Sequence, residues 1–179
     1  MRSAIFLSFF ALSALAAEPM RIPDVPVVDQ SGKSHRFYSD LIKDRVVAVN
    51  FVFTSCTTIC PVMGATFAQV QKLLGKRDDV ALISVSIDPR NDTPARMAAW
   101  GKKLGARPGW TLVTGAPDDI NALLKAMGVF TADKNDHGPI ILVGDDRTAT
   151  WQRINGFAAP ATIAGELRKF SAARGQSAR

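Results

Sequence analysis

Two nearly continuous apolar segments constrain the fold of this chain more than any other feature of its sequence. They lie at residues 45–53 and 80–87, and both are rich in β-branched side chains. An apolar strand without polar alternation suits a sheet that is covered on both faces, which is typical of parallel strands. The segment between them has apolar residues at helical spacings, namely Met63, Phe67, Val70 and Leu74. This pattern predicts a strand–helix–strand unit with parallel strands.

The rest of the chain continues the alternation of strands and helices. Residues 29–34 have turn chemistry between two short extended stretches and predict a β-hairpin. Thr93 and Pro94 predict the N-cap and first residue of a helix that reaches about Leu104. We expect further strands at 111–114, 139–143 and 148–153, and further helices at 118–127 and 160–173. This order indicates an α/β fold and is compatible with a thioredoxin-like core that has an N-terminal hairpin extension. Element order alone does not single that fold out.

Length and composition indicate one globular domain. The chain has 179 residues, of which 47% are hydrophobic and 21% are charged, and this balance excludes global disorder. Only two Cys and two His are present, so a disulfide-dense fold is excluded and any soft metal site must use most of them. The formal net charge of +6 is spread over helix faces and the tail, and we predict no nucleic-acid partner.

The N-terminus has the layout of a secretory signal peptide. Met1 and Arg2 precede a run of thirteen mainly apolar residues, and small residues end the run at Ala17. A spanning helix needs about 20 residues, so we expect cleavage, a periplasmic location and no spanning segment in the mature protein. The predicted organisation is a signal peptide at 1–17 and a single domain at 18–179, with a short disordered C-terminal tail. An uncleaved N-terminal membrane anchor is the alternative.

The two cysteines lie where the first buried strand gives way to a helix. Reactive groups collect at the carboxyl ends of strands in open α/β sheets, and a helix N-terminus lowers the pKa of a thiol. On a regular helix the Cβ atoms of Cys56 and Cys60 would be ~5–6 Å apart, which is wider than the ~3.8 Å of a disulfide. Two sulfurs on one metal ion fit this spacing, although a flexible loop can still close a disulfide. A purely structural disulfide is the simpler alternative, and so short a loop would contribute only about 2 kcal/mol.

A histidine before a predicted strand is the third candidate. His137 lies in a loop that a thioredoxin-like sheet would place beside the cysteine turn. Two thiolates and one imidazole form a soft, mixed ligand set that accepts Cu(I) and holds Cu(II). Asp136 is a candidate to orient the imidazole ring, or else serves the turn, and a surface histidine remains the alternative for His137. His35 lies beside the turn of the predicted hairpin, and we assign it no functional role.

Three segments together resemble the Sco/SenC family. They are residues 52–61 (VFTSCTTICP), residues 84–94 (SVSIDPRNDTP) and Asp136-His137, in the order that the family has them. The similarity extends from about Val25 to Phe170. It implies a thioredoxin fold and a copper chaperone for the copper A centre of cytochrome c oxidase. It also implies that Cys56, Cys60 and His137 are the copper ligands.

The chain departs from the family pattern in three places. Ser55, Thr57 and Thr58 stand where the family often has His-Cys-Pro-Asp around its first cysteine. The N-terminus reads as cleavable, whereas many members keep an anchor. Pro139 follows His137 by two residues, in a region where thioredoxin-like reductases have a cis-proline. This last feature favours redox chemistry.

The sequence therefore supports two functional hypotheses. The first is an exported protein that carries copper, as Cu(I) or Cu(II), to a respiratory cuproprotein, above all the copper A subunit; the sequence does not identify the copper donor. The second is a thiol–disulfide oxidoreductase that reduces the cysteines of such a target, with Cys56 as nucleophile and Cys60 as resolving thiol. Whether the protein is an enzyme depends on which hypothesis holds. No phosphate loop, His-Glu-x-x-His or Gly-x-Ser-x-Gly motif is present.

Overall fold

The computed structural model describes residues 20–177. The predicted signal peptide at 1–17 lies outside the described residues, as do the last two residues of the chain. The strands are β1 (Pro26–Asp29), β2 (Ser34–Arg36), β3 (Val46–Val52), β4 (Val80–Ser86), β5 (Trp110–Thr114), β6 (Ile140–Asp145) and β7 (Thr150–Asn155). The helices are α1 (Ile59–Leu74), α2 (Pro94–Leu104), α3 (Pro117–Ala126) and α4 (Pro160–Ser177). Two short turns of helix, Phe37–Ile42 and Lys134–Asp136, complete the described part of the chain.

The seven strands form one mixed sheet in the order β2-β1-β5-β4-β3-β6-β7. The three central strands β5, β4 and β3 are parallel, and an antiparallel pair flanks them on either side. All seven residues of β3 are buried, as its continuous apolar sequence predicts. The β1–β2 hairpin forms one edge of the sheet, which confirms the predicted N-terminal extension.

Alternate residues of the central strands face two separate apolar layers. On one face, Val46 and Ala48 of β3 pack with side chains from α1, α2 and α4. On the other face, Val47 and Val49 pack with α3 and the helical turn 37–42. Burial on both faces holds the strands rigidly, so the carboxyl ends of β3 and β4 form a fixed platform for the loops that follow them. Within residues 20–177, no helix has the length and apolar character that crossing a membrane requires.

The contact between α1 and α2 depends on a glycine. Gly64 of α1 faces the side chains of Trp100 and Leu104, and a Cβ at this position would lie 2.7 Å from Trp100 Cη2. The two helices therefore approach more closely than any side chain at position 64 would allow. At the start of α2, the Thr93 side chain accepts a hydrogen bond from the Arg96 amide, which confirms the predicted N-cap.

The structure corrects the C-terminal elements. We expected the last strands at 139–143 and 148–153, with a turn at 144–147, but β6 continues to Asp145 and β7 begins at Thr150. The Asp145 carboxylate binds the Arg174 guanidinium, which keeps this residue in the strand. Ala149, with a φ of 51°, then makes the turn. Helix α4 also continues to Ser177 instead of ending at 173, so the described residues hold helix where we predicted the start of a disordered tail.

Candidate metal centre

The structure places both cysteines at the predicted strand-to-helix junction. Cys56 lies in the turn between β3 and α1 and is half-buried, whereas Cys60 is buried in the first turn of α1. The Cys60 amide donates a hydrogen bond to the Cys56 sulfur, at an N···S distance of 3.4 Å. The free amides at the start of α1 therefore face the more exposed of the two sulfurs.

His137 completes the group that the sequence predicts. It lies just before β6 and is buried, with its Nε2 atom 3.7 Å from the Cys60 sulfur. Its Nδ1 atom lies 2.9 Å from the carbonyl oxygen of Gly138, which can only accept a hydrogen bond. In the neutral ring Nδ1 therefore carries the proton, and the Nε2 lone pair faces Cys60.

The ring of His137 is oriented by Gly138 and not by its other neighbour in the chain. Asp136 is exposed in the helical turn 134–136. The carbonyl of Gly138, and not the carboxylate of Asp136, contacts the Nδ1 atom of the His137 ring. The reason is geometric, because the backbone is extended at His137, after the helical turn, and Nδ1 of the ring lies within hydrogen-bond distance of the next carbonyl. The suggested orienting role of Asp136 was wrong.

The two thiols differ sharply in acidity. Burial raises the pKa of the Cys56 thiol, but hydrogen bonds from the Cys60 thiol and amide and from Thr58 outweigh it and bring this pKa to about 7. Burial raises the pKa of the Cys60 thiol to about 12. Burial also lowers the pKa of His137, and the hydrogen bond to Gly138 only partly opposes this effect. Near neutral pH Cys56 is therefore divided about equally between thiolate and thiol, whereas Cys60 is a thiol and the imidazole is neutral.

A lysine that the sequence did not indicate fixes the loop of His137. Lys134 forms an ion pair with the Asp88 carboxylate at the end of β4. Its ammonium also lies 5.1 Å from the ring centroid of Phe53, and that ring makes an edge contact with His137 at a centroid distance of 6.0 Å. Lys134 thus ties the segment before His137 to the ends of β3 and β4.

A buried aspartate fixes the turn of Cys56. Asp92 accepts hydrogen bonds from the Thr54 amide at 3.1 Å, the Thr54 hydroxyl at 2.5 Å and the Ser86 hydroxyl at 2.7 Å. Asp92 does not cap α2, because Thr93 is the N-cap of that helix. Asp92 is fully buried and contacts the residue two before Cys56. The sequence held one signal of this role: two carboxylates, Asp88 and Asp92, follow β4, which pairs with the strand that precedes the cysteine turn.

The donor atoms suit a soft metal ion. When a metal ion binds one sulfur at ~2.3 Å and one nitrogen at ~2.0 Å, that sulfur and that nitrogen are about 3.5–3.7 Å apart. The 3.7 Å between Cys60 Sγ and His137 Nε2 matches this separation. Across residues 20–177, no three His, Cys, Asp or Glu side chains are fully assembled as a metal site. Cys56 contacts Cys60 directly, since its sulfur accepts the hydrogen bond from the Cys60 amide.

Comparison with known proteins assigns the family. The family model described as SCO1/SenC matches residues 25–172. The chain belongs to the SCO1/SenC family. This confirms the resemblance carried by the three sequence segments. The substitutions Ser55, Thr57 and Thr58 that distinguish this member are exposed around Cys56, and they leave all three candidate ligands in place.

Individual relatives agree with this assignment. A SCO1 protein homolog from Bacillus subtilis is 33% identical over 104 residues, which cover 55% of this chain and 52% of that protein. The chain thus spans about half the length of this relative. The structure of Bradyrhizobium japonicum ScoI with copper bound has a TM-score of 0.68 at 26% identity, covering 83% of this chain and 99% of that one.

A further solved structure supports the fold. BsSco, described as having a disulfide switch and as a member of the Sco family of cytochrome c oxidase assembly proteins, has a TM-score of 0.71 at 24% identity. The likeness covers 89% of this chain and 99% of BsSco. The thioredoxin-like fold is therefore confirmed. The cis-proline of the reductases is not reproduced, since every peptide bond within residues 20–177 is trans.

Proposed function

We propose that this SCO1/SenC protein binds copper through Cys56, Cys60 and His137 and delivers it to a copper A subunit of cytochrome c oxidase. The contact between Cys60 Sγ and His137 Nε2 carries this proposal. These residues are 77 positions apart in the chain, yet their donor atoms lie at the separation of two ligands on one ion. The copper-bound ScoI relative supports the choice of metal.

The protonation states of the three residues prepare them for this cargo. Copper binds thiolates and the unprotonated nitrogen of imidazole. The Nε2 atom of His137 already presents its lone pair, and Cys56, with a pKa of about 7, is about half thiolate at neutral pH. Cys60 must lose its proton, and so must the fraction of Cys56 that is still a thiol, so copper loading at pH 7 releases between one and two protons at this site.

Half-exposure of Cys56 makes transfer by ligand exchange feasible. A thiolate of the acceptor reaches the ion from the side of Cys56, while Cys60 and His137 stay buried. Each new bond between copper and an acceptor sulfur replaces one bond to this protein, and a proton from the acceptor's thiol passes to the ligand that is released. The copper keeps its oxidation state throughout.

The unequal thiols also favour a second candidate function, thiol–disulfide exchange. The Cys56 thiolate would attack a disulfide of the target, and one target sulfur would leave as a thiolate. Cys60 would then lose its proton and attack the mixed disulfide, which releases the target as a dithiol and leaves Cys56 and Cys60 oxidised. A pKa of about 7 for Cys56 and about 12 for Cys60 suits an attacking and a buried resolving thiol.

Export is part of the proposal. Residues 1–17, which lie outside the described residues, would act as a signal peptide and place the domain in the periplasm, where thiols meet both oxidants and copper. Mass spectrometry of the protein recovered from that compartment measures the N-terminus. A chain that begins at Glu18 supports cleavage, and a chain that keeps its first 17 residues supports the anchored alternative.

Anaerobic copper titration tests the proposed site. The reduced protein should bind one copper ion, and His137→Ala should weaken Cu(II) binding by at least tenfold and alter its visible spectrum. His35→Ala is the matched control, because the only other histidine pairs with Asp29, far from the cysteines in the fold. Equal Cu(II) affinity and spectra for wild type and His137→Ala would remove His137 from the ligand set.

A second measurement separates the two candidate functions. The wild-type protein is mixed with a soluble copper A domain, either reduced and copper-free or oxidised to its disulfide. Copper loss to the reduced domain supports delivery. Failure to bind any copper, combined with reduction of the oxidised domain, would replace delivery with thiol–disulfide exchange.

A further inference from the structure

Large apolar side chains that are exposed cluster at one end of the molecule. Within residues 20–177 there are four: Val62 is 49% exposed, Leu73 45%, Phe130 40% and Phe157 52%. Three of them lie at the end of the sheet that carries the cysteines, and only Leu73, near the end of α1, lies at the opposite end. Scattered single apolar residues are ordinary on a protein surface, but a cluster around a reactive group indicates a contact site.

Val62 and Phe157 lie on the chain segments that adjoin the thiols and the imidazole. Val62 is in the first turn of α1, two residues after Cys60. Phe157 follows Gly156, whose amide donates a 2.7 Å hydrogen bond to the carbonyl of Pro139, two residues after His137. Gly156 also packs closely on Met63, so that a Cβ at Gly156 would lie 3.0 Å from Met63 Cε. The chain therefore holds Phe157 beside both ligand-bearing segments.

Phe130 lies on the other side of the bridge between Lys134 and Asp88. It lines a cavity of about 470 Å³ whose wall is mixed: Ile87, Pro89 and Pro117 are apolar, whereas Arg90, Asp133 and the two bridge residues are charged. The Lys134 ammonium and the Asp88 carboxylate neutralise each other there. Covering this region with another protein would therefore leave no unpaired charge on the bridge.

We propose that Val62, Phe130 and Phe157, called here the apolar rim, form the docking surface for the protein that accepts copper. The proposal rests on the proposed function and adds the surface by which the acceptor is held. The occupant is an acceptor domain that presents a thiol to Cys56 and apolar side chains to the rim. The 470 Å³ cavity beside Phe130 would receive one of those side chains.

The burial of the site explains why the rim and the thiols act together. Cys60 and His137 are buried and Cys56 is only half-exposed, so ligand exchange requires the acceptor to touch the residues that border Cys56. Val62 and Phe157 are exposed on segments at this end of the sheet, the first turn of α1 and the loop after β7. Apolar and aromatic anchors at the centre of an interface supply most of the binding energy and exclude water from it.

Copper transfer by a rim variant tests the proposal. The double variant Val62→Ser/Phe157→Ser and the control Leu73→Ser are loaded with copper, and their copper affinities are compared with that of the wild type. Each is then mixed with a reduced soluble copper A domain, and the second-order rate of transfer is measured. We expect the rim variant to keep its copper affinity and transfer at least tenfold more slowly. Leu73→Ser, with matched exposure, should stay within twofold of wild type.

Three results would overturn the rim as an acceptor surface. They are an unchanged transfer rate in the rim variant, an equal slowing in Leu73→Ser, and a loss of self-association in the rim variant, which would make the rim a contact between copies of this chain. Binding of the loaded protein to the copper A domain is measured separately. Rim-dependent binding without transfer would refute delivery and keep the rim, whereas absence of binding by wild type would refute both.

Discussion

At the scale of single residues, the two thiols acquire different chemistry from different surroundings. The Cys56 sulfur receives hydrogen bonds from the first turn of α1, which favour its charged form. The Cys60 sulfur lies in the apolar layer beneath that turn, which favours its neutral form. Four positions along the chain thus separate a half-buried thiol with a pKa of about 7 from a buried thiol with a pKa of about 12.

The reactivity of the two thiols should differ with pH. Only thiolates react with iodoacetamide, so alkylation of Cys56 in the reduced, metal-free protein should be half-maximal near pH 7, and Cys60 should react far more slowly. Cys60→Ala removes one hydrogen bond to the Cys56 sulfur and should move the midpoint for Cys56 to higher pH. Peptide mass mapping of the alkylated protein measures each site. Equal rates for the two thiols at pH 7 would contradict the assigned pKa order.

The residues of the candidate site could be predicted from the sequence, but the residues that hold them in place could not. Cys56 and Cys60 stand out because the chain has only two cysteines, and their position after an apolar strand predicts a helix N-terminus. The contacts of Asp92 with Thr54 and of Lys134 with Asp88 span 38 and 46 residues. The spacing of residues within a single helix or strand carries no information on contacts between residues so far apart in the chain.

At the scale of elements, the His137 loop depends on a bridge between three segments. Lys134 in the loop contacts Asp88 after β4 and Phe53 after β3. A cation near an aromatic ring contributes about 0.5–1 kcal/mol, and the partly buried ion pair adds to it. The bridge therefore restricts where the imidazole can lie relative to Cys60.

Loss of the bridge should weaken copper binding only through His137. Lys134→Met keeps the length of the side chain and removes its charge, and we expect a roughly fivefold rise in the Cu(II) dissociation constant, about 1 kcal/mol. In the His137→Ala background the same change should have less than a twofold effect. Copper titration of the four proteins of this double-mutant cycle measures the coupling. An identical loss in both backgrounds would show that Lys134 acts independently of the imidazole.

Two glycine-to-alanine substitutions should have opposite effects on stability. Gly64→Ala forces its methyl group against Trp100 where α1 crosses α2, and such overpacking costs about 1–3 kcal/mol. Gly165→Ala lies within α4 with nothing within 4 Å of the added Cβ, so it should stabilise by about 0.5–1 kcal/mol. Urea unfolding of both variants measures these changes. Stabilisation by Gly64→Ala would show that the helices are farther apart than described.

The boundaries of helices and strands were predicted correctly where local sequence determines them. They were wrong where contacts with distant residues determine them. The caps of α2 and the burial of β3 follow from local sequence. The end of β6 does not, because Asp145 and the residues after it read as a turn until Arg174 of α4 is placed beside them. The helical turn 134–136 was also missed, because it is only three residues long and is held by the ion pair between Lys134 and Asp88.

At the scale of the whole molecule, two carboxylates make the stability of the protein depend on pH, and one of them, Asp79, links distant parts of the chain. Hydrogen bonds from Arg77 and Ser171 outweigh burial and lower the pKa of Asp79 from 3.8 to about 2, which ties α4 to the start of β4. Burial would raise the pKa of Asp29, but hydrogen bonds from Ser31 and His35 lower it to about 2 as well. Both carboxylates are charged in the folded protein at a pH where the unfolded chain binds protons.

Acid should therefore remove part of the free energy of unfolding. The contribution of Asp29 and Asp79 is complete above pH 3.8 and is lost as the pH falls towards 2, because the unfolded state takes up protons first. Urea unfolding between pH 2 and 6 measures this slope. The double variant Asp29→Asn/Asp79→Asn should be less stable at pH 6 and show a flatter slope, whereas Asp78→Asn, an exposed neighbour, should follow wild type. A wild-type slope in the double variant would contradict this account.

The order of the strands also sets the time at which the metal centre comes into existence during folding. The thiols follow β3 and the imidazole precedes β6, and these strands pair across a loop that includes both β4 and β5. Sheets built from such distant pairs fold in milliseconds to seconds, because the chain must close a long loop before the contact forms. Throughout that interval the chain exposes two thiols that have no imidazole beside them. The speed with which β6 joins β3 therefore decides how long a folding molecule is open to oxidation of its cysteines or to capture of the wrong ion.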